Sequence, residues 1–182
     1  MGTGVAVSLG EDITHTKMNL KLESVATGEI DAGVAMTGIV MLFNTFICPA
    51  PGTDWTPQLE GCGLAQSKTS KKCWIPLSGL KVGDIITTYT IKGDATEAAA
   101  LTLDCKLVAI TSANPITTAD VTNGGITQVT ADGVISSTAN CDDTTITDGK
   151  QYALEILGTT GAGDSITLTG AQVTVTRILK NA

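Results

Sequence analysis

Histidine is almost absent from this sequence, and its scarcity limits the chemistry open to the protein. The chain has 182 residues and one histidine, His15. A Ser–His–Asp or Cys–His catalytic site needs a positioned histidine, and a three-histidine metal site needs three. Because His15 falls in a polar segment that we expect to be extended, we predict that the protein is not an enzyme.

Aromatic residues are also scarce, which argues against a free carbohydrate-binding module. They make up 3% of the chain, whereas sugar-binding β-sandwiches present aromatic platforms to sugar rings. The strand patterns around Trp74 and Tyr89 predict core positions for both. Trp55 is then the one candidate platform, and it fits a subunit interface at least as well, since tryptophan is a frequent interface anchor.

The chain has few charged residues, and acidic residues outnumber basic ones. Charged residues make up 16% of the chain, and the formal net charge is −7. Nucleic-acid binding requires a basic footprint, which the short cluster Lys68–Lys72 does not supply, so no nucleic-acid partner is expected. Few charges together with a positive mean hydropathy favour a surface that neighbouring subunits partly cover.

The most apolar stretch is "AGVAMTGIVMLFNTFIC", residues 32–48. It is shorter than the roughly 20 residues of a membrane-spanning helix and contains polar residues, so no membrane partner is expected. We predict strand structure buried on both faces, in the core or at a subunit contact. The first residues lack the basic region of a secretory signal, and none is expected.

The five cysteines are an odd number, so at least one has no partner within the chain. Cys105 occupies an inward position of a predicted strand and is expected to be an inert core thiol. Cys48, Cys62 and Cys73 flank a loop rich in proline and glycine. They are disulfide candidates in an oxidising environment, and the spacing does not decide which of them pair.

Carboxylates offer one candidate metal site. Asp142, Asp143 and Asp148 lie in "CDDTTITDG", close enough in sequence to bind calcium if the loop curls. The spacing is not that of an EF-hand, and a solvated turn is the alternative. No other cofactor is expected.

A second loop, "GTTGAGDS" at residues 158–165, is superficially like a phosphate-binding loop. Asp164 stands where that motif has lysine, and its charge would repel phosphate. We interpret this segment as a glycine-rich turn between two strands.

Alternation with a period of two dominates the chain after residue 73 and predicts half-buried strands. In "LTLDCKLVAI", every second residue from Leu101 to Ala109 is apolar or cysteine. In residues 85–92, the pattern places Ile85, Thr87, Tyr89 and Ile91 on one face. Six to nine short strands with Gly and Asp turns predict an all-β fold, an antiparallel β-sandwich of jelly-roll type.

The domain organisation expected is an extended N-terminal arm, residues 1–31, and a sandwich domain, residues 32–182, with a long loop at 49–72. A short alternating run in the arm is suited to strand addition to a neighbouring sheet. The candidate interface residues are Met18, Leu20, Leu22, Met41, Phe43, Phe46 and Trp55.

Three segments carry a resemblance to a known group of proteins: "WIPLSGLKVGDIITTYTIKGD", "LTLDCKLVAI" and "KQYALEILGTTGAGDSITLTGAQVTVTRI". Their succession resembles the β-sandwich modules of tailed-bacteriophage virion proteins, which include capsid decoration proteins, head fibres and tail fibres. Roughly half of the chain is covered, and the first 72 residues match nothing comparable. The resemblance implies a non-enzymatic building block that is displayed on a particle.

Two hypotheses follow. The first is a virion structural protein, a capsid decoration or cement protein or a tail component. Its partners would be copies of itself and other virion proteins such as the major capsid protein. The second is a subunit of an extracellular prokaryotic filament or tube, located at the cell surface and assembled by donor-strand complementation.

Overall fold

The computed structural model describes residues 34–48, 54–58, 63–66, 70–113, 115–122 and 125–179. Within these ranges the regular secondary structure is entirely β-strand, without a helix, and two antiparallel sheets pack together. The all-β sandwich prediction is confirmed. Residues 1–31, with Met18, Leu20 and Leu22, lie outside the described residues, as does Cys62. The strands are β1 (Val34–Phe43), β2 (Thr56–Gln58), β3 (Gly63–Gln66), β4 (Lys71–Pro76), β5 (Ile85–Thr96), β6 (Thr102–Thr111), β7 (Thr117–Asp120), β8 (Gly133–Thr145), β9 (Lys150–Thr159) and β10 (Ser165–Leu179).

The chain divides into two compact units. One comprises Met1–Met36 and Arg177–Ala182, and the other comprises Thr37–Thr176. In the first unit, the described residues are strand residues at the start of β1 and the end of β10. The second unit contains the two packed sheets, and the features below belong to it.

One sheet has six strands and the other has four. The six-stranded sheet runs β2-β3-β10-β5-β8, and β1 also pairs with β10; the four-stranded sheet runs β4-β9-β6-β7. β3 pairs with the first residues of β10, from Ile166 to Leu168. β10 is therefore a central strand of this sheet. It pairs with β5 and also with two shorter strands, β3 and β1.

The core lies between the sheets and is built from the inward residue of each alternating pair. The residues predicted to point inward are all buried: Leu101 just before β6, and Leu103, Cys105, Leu107 and Ala109 within it. Val108, which the alternation places on the outward face, is buried as well, so the prediction is wrong at that residue. Cys105 is thus a core thiol, as expected. β9 and β10 contribute further buried residues to this core: Tyr152, Leu154, Ile156, Val173 and Val175.

The predicted assignment of buried and outward residues in β5 is wrong at the start of the strand. Ile86, Tyr89 and Ile91 are completely buried, whereas Ile85 and Thr87 are half-buried. The register against β10 passes from Thr88 to Ile86 in one step, so Thr87 has no residue opposite it in that strand, although its hydroxyl donates to the Thr174 carbonyl oxygen at 3.2 Å. This β-bulge adds one residue, and one residue is enough to exchange the two faces of a strand.

The predicted loop at 49–72 contains strands, since it includes β2 and β3. Between β7 and β8, Val129 makes a single isolated bridge to Leu103. Trp74, expected in the core, is half-exposed because Cys73 and Ile75 take the inward positions of β4.

A glycine contact keeps the N-terminal half of β10 close to β5. Gly93 lies opposite Leu168, and the register shifts between Leu168 and Gly170. A Cβ atom at Gly93 would lie 2.2 Å from the backbone oxygen of Thr167. Any side chain there would force the two strands apart, so glycine permits the close approach at this bulge.

Candidate contact surface

Strand β1 is apolar on both faces but is covered on only one. Phe43 is buried in the core, and Ile39 and Met41 are partly buried against it. The alternate residues point the other way, and Val40 is 52% exposed while Leu42 is 78% exposed. A strand with this composition is typical of positions buried on both sides. We call the exposed side, defined by Val40 and Leu42, the β1 outer face.

The described strands pair with one edge of β1. β10 is the one partner of β1 among the strands that the structure describes, so the second edge of β1 has no described neighbour. Backbone N–H and C=O groups at an edge that a sheet leaves unpaired bond readily to another strand. The apolar face therefore lies on the same element as an edge that the described strands do not cover.

A shallow groove of about 320 Å³ adjoins Leu42 on the outer side of the six-stranded sheet. Beyond it the surface is polar. Thr90 and Thr138 share a hydrogen bond of 2.7 Å between their hydroxyl oxygens, and the Lys92 ammonium donates to the Ser136 hydroxyl at 2.8 Å. An apolar patch with a polar surround has the anatomy of a protein interface. The groove is lined by Leu42, Phe43, Asn44, Lys92, Thr169, Gly170, Ala171 and Gln172.

The candidate interface residues in the described part of the chain fall on different surfaces. Trp55 is completely buried and Phe43 is 8% exposed, so both belong to the core of this chain and are corrected as interface candidates. Met41 and Phe46 are half-buried against that core. Val40 and Leu42 are not among the interface candidates that the sequence indicated. Their alternation with Ile39, Met41 and Phe43 is present in the sequence, but an unbroken apolar run does not reveal which face is covered.

The predicted calcium site is not formed. Asp142 and Asp143 are adjacent residues of β8 with left-handed φ angles of 42° and 56°. They lie where the β5–β8 register shifts. The Asp148 carboxylate accepts a hydrogen bond of 2.9 Å from the N–H of Gly149. No group of three His, Cys, Asp or Glu residues that suits a metal ion occurs among the described residues. The two adjacent aspartates thus belong to the irregular segment of β8 that lies opposite Thr87 of β5.

Asp164 occupies the loop that is superficially like a phosphate-binding loop. Its carboxylate accepts hydrogen bonds from the backbone N–H groups of Ala98 at 2.6 Å, Ala99 at 2.8 Å, Ala100 at 3.1 Å and Gly161 at 2.6 Å. These bonds, that of Ala98 foremost, lower the pKa of Asp164 to about 2. The backbone does form an anion-binding nest, and the chain's own carboxylate fills it. The predicted turn is confirmed. The Asp164 carboxylate joins this turn to the backbone of residues 98–100.

A charged cleft of about 490 Å³ lies on the outer face of the four-stranded sheet. Lys72 and Lys106 approach the Glu155 carboxylate at 3.2 and 3.5 Å, and Lys106 lies 3.7 Å from Asp120. The Gln128 amide donates to Asp104 at 2.8 Å. Since these groups satisfy one another, the cleft is an exposed ion-pair network and does not indicate a particular ligand.

Four cysteines are described, and all four are free thiols. Burial raises the pKa of Cys141 to about 12 and raises the pKa of Cys105 well above its usual value. Neither thiol therefore forms a reactive thiolate near neutral pH.

Two comparisons with known proteins identify no family for this chain. A scan against protein-family models found no matching family, and a search of curated proteins found no match. Across the described ranges there is no helix with the length and apolar character needed to cross a membrane. The β1 outer face remains the feature with the clearest functional meaning.

Proposed function

We propose that this protein is a non-enzymatic structural subunit of a virion, a capsid decoration or cement protein or a tail component. Its partners are copies of itself and other virion proteins such as the major capsid protein. The observation that carries the proposal is the β1 outer face, where Leu42 is 78% exposed beside Val40 at 52%. The resemblance of residues 74–93 and 151–178 to phage β-sandwich modules supplies the biological setting.

The physical argument concerns the cost of leaving this face in water. Burying a Val or Leu side chain is favourable by about 1.5–3 kcal/mol. Two such side chains on this strand provide an apolar centre for a contact, and the edge of β1 that the described strands do not cover provides backbone hydrogen bonds to a strand added by the partner. The polar surface around Lys92 and Thr90 stays solvated and surrounds the contact.

The proposed location in a virion is tested by determining which fraction of a lysate contains the protein. Particles are purified from a lysate of the source culture by density gradient, and their proteins are identified and counted by mass spectrometry. We expect the chain in the particle fraction, in a fixed ratio to the major capsid or tail protein. Its recovery only as free protein or as cell-surface filaments would overturn the virion proposal.

Electron microscopy of the isolated protein separates the two settings. A virion subunit that needs a larger particle as its partner should form small discrete oligomers in negative stain. Regular fibres or tubes formed by the purified chain alone would favour the filament alternative, since all of the assembly information would then lie in this chain.

A further inference from the structure

The segment after β1 crosses from one sheet to the other and places two cysteines side by side. The chain leaves β1 at Phe43, and Ile47 then forms an antiparallel bridge with Trp74 of β4. Each of these two residues donates its N–H to the other's carbonyl oxygen, and both bonds are 2.8 Å long. Ile47 and Trp74 are therefore a hydrogen-bonded pair.

This register fixes the next pair. In an antiparallel ladder one step forward on one strand faces one step back on the other, so Cys48 lies opposite Cys73. A hydrogen-bonded pair is followed by a non-hydrogen-bonded pair, in which the Cα atoms approach to about 4.5 Å. Disulfides need a Cα separation of about 4.4–6.8 Å, so a pair of this type is compatible with that requirement.

The side chains agree with the register. Cys73 is completely buried, and Cys48 is partly buried against the same core. The two thiols are in hydrogen-bonding contact with each other. Ile47 and Trp74, the flanking pair, point to the opposite face. Both sulfur atoms are thus directed into one space between the crossing segment and β4.

We propose that Cys48 and Cys73 form a reversible cross-strand disulfide that fastens the segment 44–48 to the four-stranded sheet. The inference does not depend on the proposed virion function. Cys48 is the entry point for oxidation because it is the more exposed of the two thiols. Its pKa is raised by burial and by the negative charge of Asp54, and the hydrogen bond from Cys73 opposes that shift. Both thiols are consequently protonated near neutral pH, so the reduced pair persists until a disulfide oxidant is present.

The reaction is a two-step thiol–disulfide exchange with oxidised glutathione, a small-molecule disulfide. The sulfur of Cys48 attacks one glutathione sulfur, the glutathione S–S bond breaks, and one glutathione thiol leaves with the proton of Cys48. The sulfur of Cys73 then displaces the second glutathione, which takes the proton of Cys73. The protein loses two electrons and two protons, and one oxidised glutathione becomes two reduced molecules.

Peptide mapping tests the pairing. The full-length protein is incubated with oxidised glutathione under native conditions, capped with N-ethylmaleimide and digested with trypsin and a glutamate-specific protease. Cleavage after Glu60 places Cys48 and Cys62 on different peptides, and Cys73 lies on the peptide ending at Lys81. We expect a linked pair that contains Cys48 and Cys73. Capped Cys48 after exhaustive oxidation, or a link between Cys48 and Cys62, would overturn the proposal.

Thermal unfolding tests the fastening. The closed loop spans residues 48–73, and we expect oxidation to raise the Tm of the wild-type protein by on the order of 5–10 °C. The Cys48→Ser variant should show no oxidant-dependent shift, whereas the matched Cys62→Ser variant should keep it. An unchanged wild-type Tm, or a full shift retained in Cys48→Ser, would contradict the fastening role.

Discussion

The hydroxyl of Tyr89 donates a hydrogen bond of 2.7 Å to the backbone carbonyl of Cys105 and so joins the two sheets through the core. Tyr89 belongs to β5 of the six-stranded sheet, and Cys105 belongs to β6 of the four-stranded sheet. Both residues are buried. A buried polar pair between two apolar layers helps to fix how one sheet is placed on the other, because a displaced sheet would break this hydrogen bond.

Replacing Tyr89 by Phe should lower the free energy of unfolding by about 1 kcal/mol. The loss is moderate because the Cys105 carbonyl also accepts the N–H of Ile126 at 3.3 Å. Urea denaturation gives the value. The matched control is Thr90→Val, which removes an exposed hydroxyl pair and should cost about 0.5 kcal/mol or less. Equal losses in the two variants would contradict the role assigned to Tyr89.

Asp164 should make the stability of the fold depend on pH in the acidic range. Its pKa is lowered to about 2 in the folded chain, against about 3.9 for an unfolded aspartate. Because the folded value is the lower one, the stabilisation is complete above about pH 4–5 and is lost as pH falls toward 2. Asp164→Asn should therefore lower the Tm at pH 7, with a gap that narrows as pH falls through this range.

The control for Asp164 is Asp94→Asn, at an exposed position of β5. It should change the Tm little and show no comparable narrowing with pH. A gap between wild type and Asp164→Asn that stays constant from pH 7 to pH 2.5 would show that the charge of this carboxylate does not stabilise the loop contacts.

The close approach at Gly93 should make that residue intolerant of even one methyl group. A Cβ atom would lie 2.2 Å from the Thr167 backbone oxygen, and backbone cannot rotate away as a side chain can. We expect Gly93→Ala to destabilise the fold by roughly 1–3 kcal/mol in urea denaturation. The neighbouring exposed substitution Asp94→Ala is expected to be nearly neutral, and a neutral Gly93→Ala would contradict the close packing of β5 on β10.

Removal of residues 1–31 should separate folding from assembly. All of the described strands begin after residue 33, so the truncated protein should keep the circular dichroism spectrum of a β-sheet protein and a cooperative thermal transition. If the arm adds a strand to a neighbour, assembly or particle binding should be lost. A truncated protein that folds and still assembles normally would exclude the donor-arm mechanism.

The sequence predicts the fold best where one periodic pattern runs without interruption. The strand around Leu103 and Leu107 has strict alternation, and all of its inward residues are correctly predicted because burial on one face imposes that period. The prediction around Ile85 is wrong because Thr87 forms a β-bulge, and the local sequence contains no signal for the extra residue. A bulge depends on the register with the neighbouring strand, which is a tertiary property.

The contact surface was only half predictable, for a similar reason. The apolar run at 32–48 correctly indicates strand structure, but the chain itself buries only one of the two predicted faces. Which side the chain covers itself depends on how Phe43 is placed beside Gly170 of β10, where a Cβ atom would lie 2.5 Å from the Phe43 carbonyl oxygen. Trp55 gave the opposite error, since a tryptophan between prolines in a loop-like segment is in fact completely buried.

The most direct test of the account is sedimentation velocity over a concentration series for three proteins: wild type, Leu42→Thr and Val134→Thr. Val134 is the matched control because it is 84% exposed on β8, and β10 and β5 separate it from β1. Threonine keeps the preference for strand in both variants. We predict that wild type and Val134→Thr self-associate equally, whereas Leu42→Thr raises the Kd by roughly tenfold or more. Equal association of all three proteins, or a loss confined to Val134→Thr, would contradict the claim that the β1 outer face is the contact surface.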